Sequence, residues 1–244
     1  MAEKKVVYYP GCFVNYFEHE TGKSVIEIME KNGLEVVVPQ HACCGLTLYY
    51  SGDLSYARFR AYNLVNILSP FVEQGYDIVV SCPTCCYSLK EVYPFLLADK
   101  QTMAIAQRTT FISQYLLKLY SEKKLSTDFR PMSQSVVYHA PCHLRSQNLS
   151  IESAKLMALV PETSIMVIDR GCCGMGGTWG MHSKFQGKVS AIIGSELFNA
   201  IVEAAPQVVA TDCAGCQMHI ASHINRRVIH PVRFLAEAYQ PLYK

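Results

Sequence analysis

Val6-Val7-Tyr8-Tyr9-Pro10-Gly11-Cys12 is a short apolar run closed by Pro-Gly and followed at once by a cysteine; 130 residues on, the chain repeats it as Val136-Val137-Tyr138-His139-Ala140-Pro141-Cys142. Continuous β-branched and aromatic runs of this length, ended by turn residues, suit strands buried on both faces of a parallel sheet. Four more runs have the same form, at residues 35–38, 77–80, 164–168 and 208–211. Each again leads into cysteine: to His41-Ala42-Cys43-Cys44-Gly45, to Cys82 and Cys85, to Arg170-Gly171-Cys172-Cys173-Gly174, and to Cys213 and Cys216. Matching cysteines stand 129 to 131 residues apart, so the chain is an internal duplication.

Helical stretches separate the runs. Residues 21–32 place Val25, Ile28 and Met29 at helical spacing, with Asn32-Gly33 as a stop. Asp53 is a candidate N-cap for a longer helix reaching Gln74, and residues 184–204 form its counterpart in the second half. About thirty residues from Cys12 to Cys43 suffice for a strand-helix-strand crossover. The expected fold is therefore α/β, two pseudo-symmetric repeats, each a small parallel-sheet domain with its cysteines at the C-terminal ends of strands. Those ends line the ligand crevice of open α/β sheets, so three segments would deliver thiols to one place. Residues 120–135 are polar and read as a linker, which divides the chain into 1–130 and 131–244.

A chain of 244 residues, half of them apolar, can build a full core. The net charge of +2, with scattered basic residues, gives no footprint for nucleic acid and no polybasic membrane anchor. The N-terminus lacks the apolar stretch of a signal peptide, and no run of about eighteen apolar residues occurs. The expectation is a cytoplasmic protein, without a transmembrane segment, that reaches the inner face of the membrane only through partners. In a reducing compartment eleven cysteines point to metal or redox chemistry rather than disulfides.

Ten of the eleven fall into two sets of five: Cys12, Cys43, Cys44, Cys82 and Cys85, then Cys142, Cys172, Cys173, Cys213 and Cys216. Thiolate-only ligation selects zinc or iron-sulfur centres. A structural zinc ion closes with four ligands and a cubane cluster also takes four, so the fifth thiol favours a cluster with a bridging or extra cysteine, with zinc as the alternative. Gly45, Gly174, Gly176 and Gly177 are candidate cofactor-binding positions, where backbone comes close and N–H groups bond cluster sulfur.

The pattern C-x30-CCG-x36-C-x-x-C, followed by C-x29-CCG-x38-C-x-x-C, resembles the tandem CCG cysteine-rich domain of the heterodisulfide reductase B subunit and related iron-sulfur subunits. The stretches 138–143, 172–180 and 211–216 look most like the C subunit of anaerobic glycerol-3-phosphate dehydrogenase. The resemblance implies two clusters, 4Fe-4S and in the heterodisulfide reductase branch noncubane, each held by one five-cysteine set. It also implies an electron-transfer subunit of a multi-subunit oxidoreductase, with a disulfide-cleaving catalytic subunit as the alternative and a zinc-bound structural protein as a third reading. The C-x-x-C-x-x-C-x-x-x-C-P runs of that C subunit do not occur here, nor does a G-x-G-x-x-G opening a helix after the first strand. A flavoprotein and a ferredoxin-type partner would then supply electrons, and a quinone or disulfide would accept them.

His139 and His143 flank Cys142 where the first half has Tyr9 and Phe13, and are the candidate catalytic residues, carrying protons beside an electron path. This asymmetry places substrate chemistry at the second site. Cys86 has no counterpart and reads as a small core residue. His219 and His223 stand four apart, at metal-like spacing but with no third ligand in view. Trp179 follows the glycine-rich turn and is expected to cover the second site. Tyr49-Tyr50 and Tyr8-Tyr9 read as core or cleft wall.

Overall fold

The computed structural model describes residues 4–239. The chain divides between Ser126 and Thr127 into two compact units. Each is built on a four-stranded, all-parallel sheet with helices, so the α/β duplication anticipated from the repeat is the fold.

In the first unit the strands are β1 (Lys4–Tyr9), β2 (Leu34–Val37), β3 (Asp77–Val80) and β4 (Thr109–Phe111), in the order β2-β1-β3-β4. In the second they are β5 (Ser135–His139), β6 (Ser164–Ile168), β7 (Val208–Ala210) and β8 (Arg227–Ile229), in the order β6-β5-β7-β8. Even the register repeats: Val6 pairs with Asp77 and Val7 with Ile78, as Val136 pairs with Val208 and Val137 with Val209. The central strands carry the cores. Val6, Val7, Tyr8, Tyr9, Ile78, Val79 and Val80 are buried, as are Val136, Val137, Tyr138, Val208, Val209 and Ala210. This is why those runs lack a polar alternate position.

β4 and β8 were not anticipated. They are three residues each, and β8 begins on Arg227, so neither shows an apolar run; parallel pairing to β3 and β7 makes them strands.

The longer helix of the first crossover runs His19–Lys31, and Asn32 ends it by donating Nδ2 to the Ile28 carbonyl at 2.6 Å. The Leu54–Glu73 helix starts where the Asp53 carboxylate accepts from the Tyr56 N–H at 3.1 Å. It buries Ala57, Ala61, Leu64, Val65 and Leu68. Its counterpart, Lys184–Ala204, is capped by Ser183 and buries Ser190, Gly194, Leu197, Phe198 and Ile201. Residues 129 and 130 belong to the second unit: Phe129 bridges to Tyr239, and the Arg130 N–H donates to the Ala238 carbonyl at 2.8 Å.

Candidate metal centres

Each cysteine group follows the C-terminal end of a strand. Cys12 lies three residues beyond β1, Cys43 and Cys44 beyond β2, and Cys82 with Cys85 beyond β3, Cys85 on the Pro83–Tyr87 helix. Because Tyr9 pairs with Val80, the segments that carry Cys12 and Cys82 leave the sheet side by side. The second unit repeats this with Cys142 after β5, Cys172 and Cys173 after β6, and Cys213 and Cys216 after β7, Cys216 on the Ala214–His223 helix. Gly11 shows how closely the parts fit. It has φ +75°, and a Cβ placed on it would lie 2.8 Å from Cys85 Sγ.

Within each set thiols from different segments meet. Cys85 Sγ donates to Cys44 Sγ at 3.6 Å, and Cys216 Sγ to Cys173 Sγ at 3.1 Å. Cys43 accepts from both Cys12 and Cys44, which holds its thiol far below the ordinary cysteine range. Cys173 accepts from Cys172 and Cys216 with the same result. The donors Cys12, Cys172 and Cys216 are driven up. Cys82 is lowered to about 7 by the Cys85 thiol and by the backbone of Cys85 and Thr84. Each set thus stores at least one sulfur ready to ligate as thiolate. Among the described residues no three Cys, His, Asp or Glu side chains close around one metal ion. All eleven cysteines are free of disulfides. A soft, five-sulfur donor set with closely approaching backbone fits an iron-sulfur cluster.

The two paired-cysteine loops are anchored by different side chains. In the first unit Tyr9 donates to the Ala42 carbonyl at 2.7 Å and Tyr93 to the Cys44 carbonyl at 2.9 Å. In the second, His219 Nδ1 bonds the Cys173 carbonyl at 2.6 Å, Ser190 donates to the Gly174 carbonyl at 2.8 Å and Arg145 to the Gly171 carbonyl at 3.0 Å. Gly174, at φ +87°, lies flush on the Lys184–Ala204 helix, and a Cβ there would fall on the Ser190 carbonyl. Its N–H donates to Cys172 Sγ at 3.4 Å. Gly45 abuts the Cβ of Arg60 in the same way, whereas Gly177 faces open space and Gly176 has only Trp179 near it. Trp179 is itself 39% exposed.

His139 ends β5 with 2% exposure, and burial lowers its pKa to about 4. His143, beside Cys142, is lowered by burial as well. His219 and His223 pack against Phe198, His223 stacked on its ring at 4.6 Å, and no metal-binding group forms around them among the described residues. His219 anchors the Cys173 loop instead, and His223 bonds the His219 carbonyl of its own helix. Cys86 is wholly buried. Nothing in the sequence marks Tyr93, or the fully buried Asp212. The Asp212 carboxylate accepts from Tyr138 and Ser153, each at 2.7 Å, with His230 Nε2 4.0 Å away. The repeat arithmetic could have found the first of these pairs, because Tyr8 and Ser81 occupy the same places in the first unit and bond at 2.8 Å.

The cysteine-rich domain CCG matches residues 6–90 and again residues 136–221. The C subunit of anaerobic glycerol-3-phosphate dehydrogenase from Escherichia coli K12 is 30% identical over 236 residues, covering 96% of this chain and 59% of that protein. The B subunit of the CoM/CoB fumarate reductase of Methanothermobacter marburgensis is 25% identical over 95% of this chain and 44% of its own length. Lactate utilization protein A of Bacillus licheniformis is 27% identical over 91% of this chain and 93% of its own length. The chain therefore spans about half the length of the first two relatives, both of them oxidoreductase subunits by name. Among the described residues no helix is long and apolar enough to cross a membrane. With the family's domain matched over both repeats, the chain belongs to the CCG cysteine-rich domain family.

Proposed function

We propose that the protein is the iron-sulfur electron-transfer subunit of a multi-subunit oxidoreductase, with one 4Fe-4S cluster on each five-cysteine set. The observation that carries this is that in each unit five thiols follow three neighbouring strand ends, with Cys44 and Cys85 in contact in the first and Cys173 and Cys216 in the second. Bound there, a cluster supplies reversible one-electron chemistry. The chain's own residues hold and tune it. Cys12, Cys43, Cys44, Cys82 and Cys85 ligate in the first unit; Cys142, Cys172, Cys173, Cys213 and Cys216 do so in the second. The Gly174 N–H, aimed at Cys172 Sγ, stabilises negative charge on sulfur. The open backbone of Gly176 and Gly177, and Gly45 in the first unit, let the chain approach closely. His139 and His143 are the groups beside Cys142 that would carry a proton at the second site, and burial holds His139 neutral at pH 7.

A flavoprotein and a ferredoxin-type subunit deliver electrons in this reading, and a quinone or another acceptor receives them, at the inner face of the membrane where a partner holds the chain there. Anaerobic purification should give a brown protein with about eight irons per chain. A colourless chain holding only zinc would overturn the proposal. A second reading, disulfide cleavage at the second site, is favoured by the exposure of Cys142. Turnover of a thiol heterodisulfide by the isolated chain with reduced viologen would select it, and inertness until a flavoprotein is added would select the relay.

A further inference from the structure

The residue just before the C-x-x-C pair differs between the repeats. Ser81 precedes Cys82, and 131 residues on, Asp212 precedes Cys213. Both side chains are buried, and each bonds the tyrosine of the neighbouring central strand: Tyr8 and Ser81 at 2.8 Å, Tyr138 and Asp212 Oδ2 at 2.7 Å. The first unit pairs two neutral hydroxyls at this place, and the second puts a carboxyl group there.

The surroundings of Asp212 suit a carboxylate. Tyr138 on β5 donates to Oδ2, and Ser153 on the Glu152–Met157 helix donates to Oδ1 at 2.7 Å, so both oxygens accept. His230, directly after β8, places Nε2 4.0 Å from Oδ1. Its Nδ1 accepts the Val232 N–H at 3.2 Å, for which an imidazolium has no lone pair. The ring is therefore neutral with its proton on Nε2, and it turns an N–H dipole, not a second charge, towards the carboxylate. Burial raises the Asp212 carboxyl, and His230, Tyr138 and Ser153 oppose that. In the first unit the strand register puts Phe111, a hydrocarbon ring, at the place of His230.

We propose that the buried Asp212 carboxylate sets the reduction potential of the second site below that of the first. A full negative charge one residue from a ligand, shut away from water, is weakly screened and opposes the arrival of an electron. Net charge and exposure are among the levers a protein has on cluster potential. Ser81 brings no such charge to the first site. Under one reductant the first site therefore fills first, and an electron that reaches the second is held less tightly and passes more readily to an acceptor. The inference rests on the reading of both sets as cluster sites, and gives that relay a direction.

The test is an anaerobic redox titration of the full iron-loaded chain, followed by visible absorbance and electron paramagnetic resonance, with Cys173→Ala to identify the signal of the second site by its loss. The wild type should show two midpoints, the lower from the second site. Asp212→Asn keeps the size of the side chain and removes its charge. It should raise the lower midpoint by about tenfold in the reduction equilibrium, about 59 mV for one electron, and leave the upper one in place. Iron content should stay that of the wild type. Where Asp212→Asn fails to load, Asp212→Ser replaces it, since the first unit already accommodates that Tyr-Ser pair. A higher midpoint for the second site of the wild type, or a loaded variant whose lower midpoint is unchanged or falls, would overturn the inference while leaving the cluster reading intact. Loss of the second site's iron from both variants would make Asp212 a structural support and overturn it as well. A wild-type chain without iron would overturn both readings.

Discussion

At the scale of the residue, pseudo-symmetric positions carry different chemistry on one scaffold. Tyr9 and His139 both end the first strand of their sheet, and both are buried. Tyr9 uses its phenol to hold the Ala42 carbonyl, whereas His139 adds a titratable group. Its pKa falls to about 4, chiefly because burial penalises the imidazolium. The unfolded chain regains the ordinary value near 6.5 and binds the proton first as pH falls. The contribution of neutral His139 is thus complete above about pH 6.5 and is lost on acidification towards pH 4. A shift of this size corresponds to roughly 3 kcal/mol. Urea unfolding of the apo chain between pH 7 and pH 4 should show His139→Tyr, which copies the first unit, losing less stability than the wild type by that order. Parallel pH profiles would remove the imidazole from the account.

At the scale of the element, legibility followed the length of the apolar signal. β3 and the Lys184–Ala204 helix match their expected limits, and the Leu54–Glu73 helix starts after the Asp53 cap as anticipated, because each has an apolar stripe or run and a definite terminus. β4 and β8 were hidden, since a three-residue strand at a sheet edge is made by its neighbour and not by its own pattern. The cysteines could be read from spacing alone. Their anchors could not, because Tyr93 and His219 come from different places in the two repeats and meet the loops only through tertiary packing. Glycine in the two loops gives a graded test. An alanine at Gly45 or Gly174 must occupy a left-handed conformation, costing about 1–2 kcal/mol. At Gly174 the new methyl also meets helix backbone, adding about 1–3 kcal/mol, while at Gly45 it meets mainly the movable side chain of Arg60. Gly174→Ala should therefore unfold at a lower urea midpoint than Gly45→Ala and lose iron from the second site. Equal midpoints would show that the Gly174 loop can lift off its helix.

At the scale of the whole molecule, each unit carries its own thiol set and its own core. In the second unit Cys173 and Cys216 are part of the buried cluster that contains Val137, Ile168, Leu197, Phe198, Ile201, Val209 and Ile220. Every member of that core lies beyond Thr127, as does every cysteine of the second set. Cysteine placement and core formation are therefore tied together within the second unit. This makes loading separable. Cys44→Ala and Cys173→Ala should each lose about half of the bound iron, on the rule that a cluster missing an anchoring thiolate is not retained. The remaining half should keep its visible absorbance and its reduction potential. The two variants should differ in function: with substrate chemistry at the second site, Cys173→Ala abolishes acceptor reduction even when its first cluster is fully reducible by dithionite. If either substitution empties both sites, assembly of one unit depends on the other. If only Cys44→Ala stops acceptor reduction, the substrate meets the first unit instead, and the open surroundings of Cys142 serve another purpose.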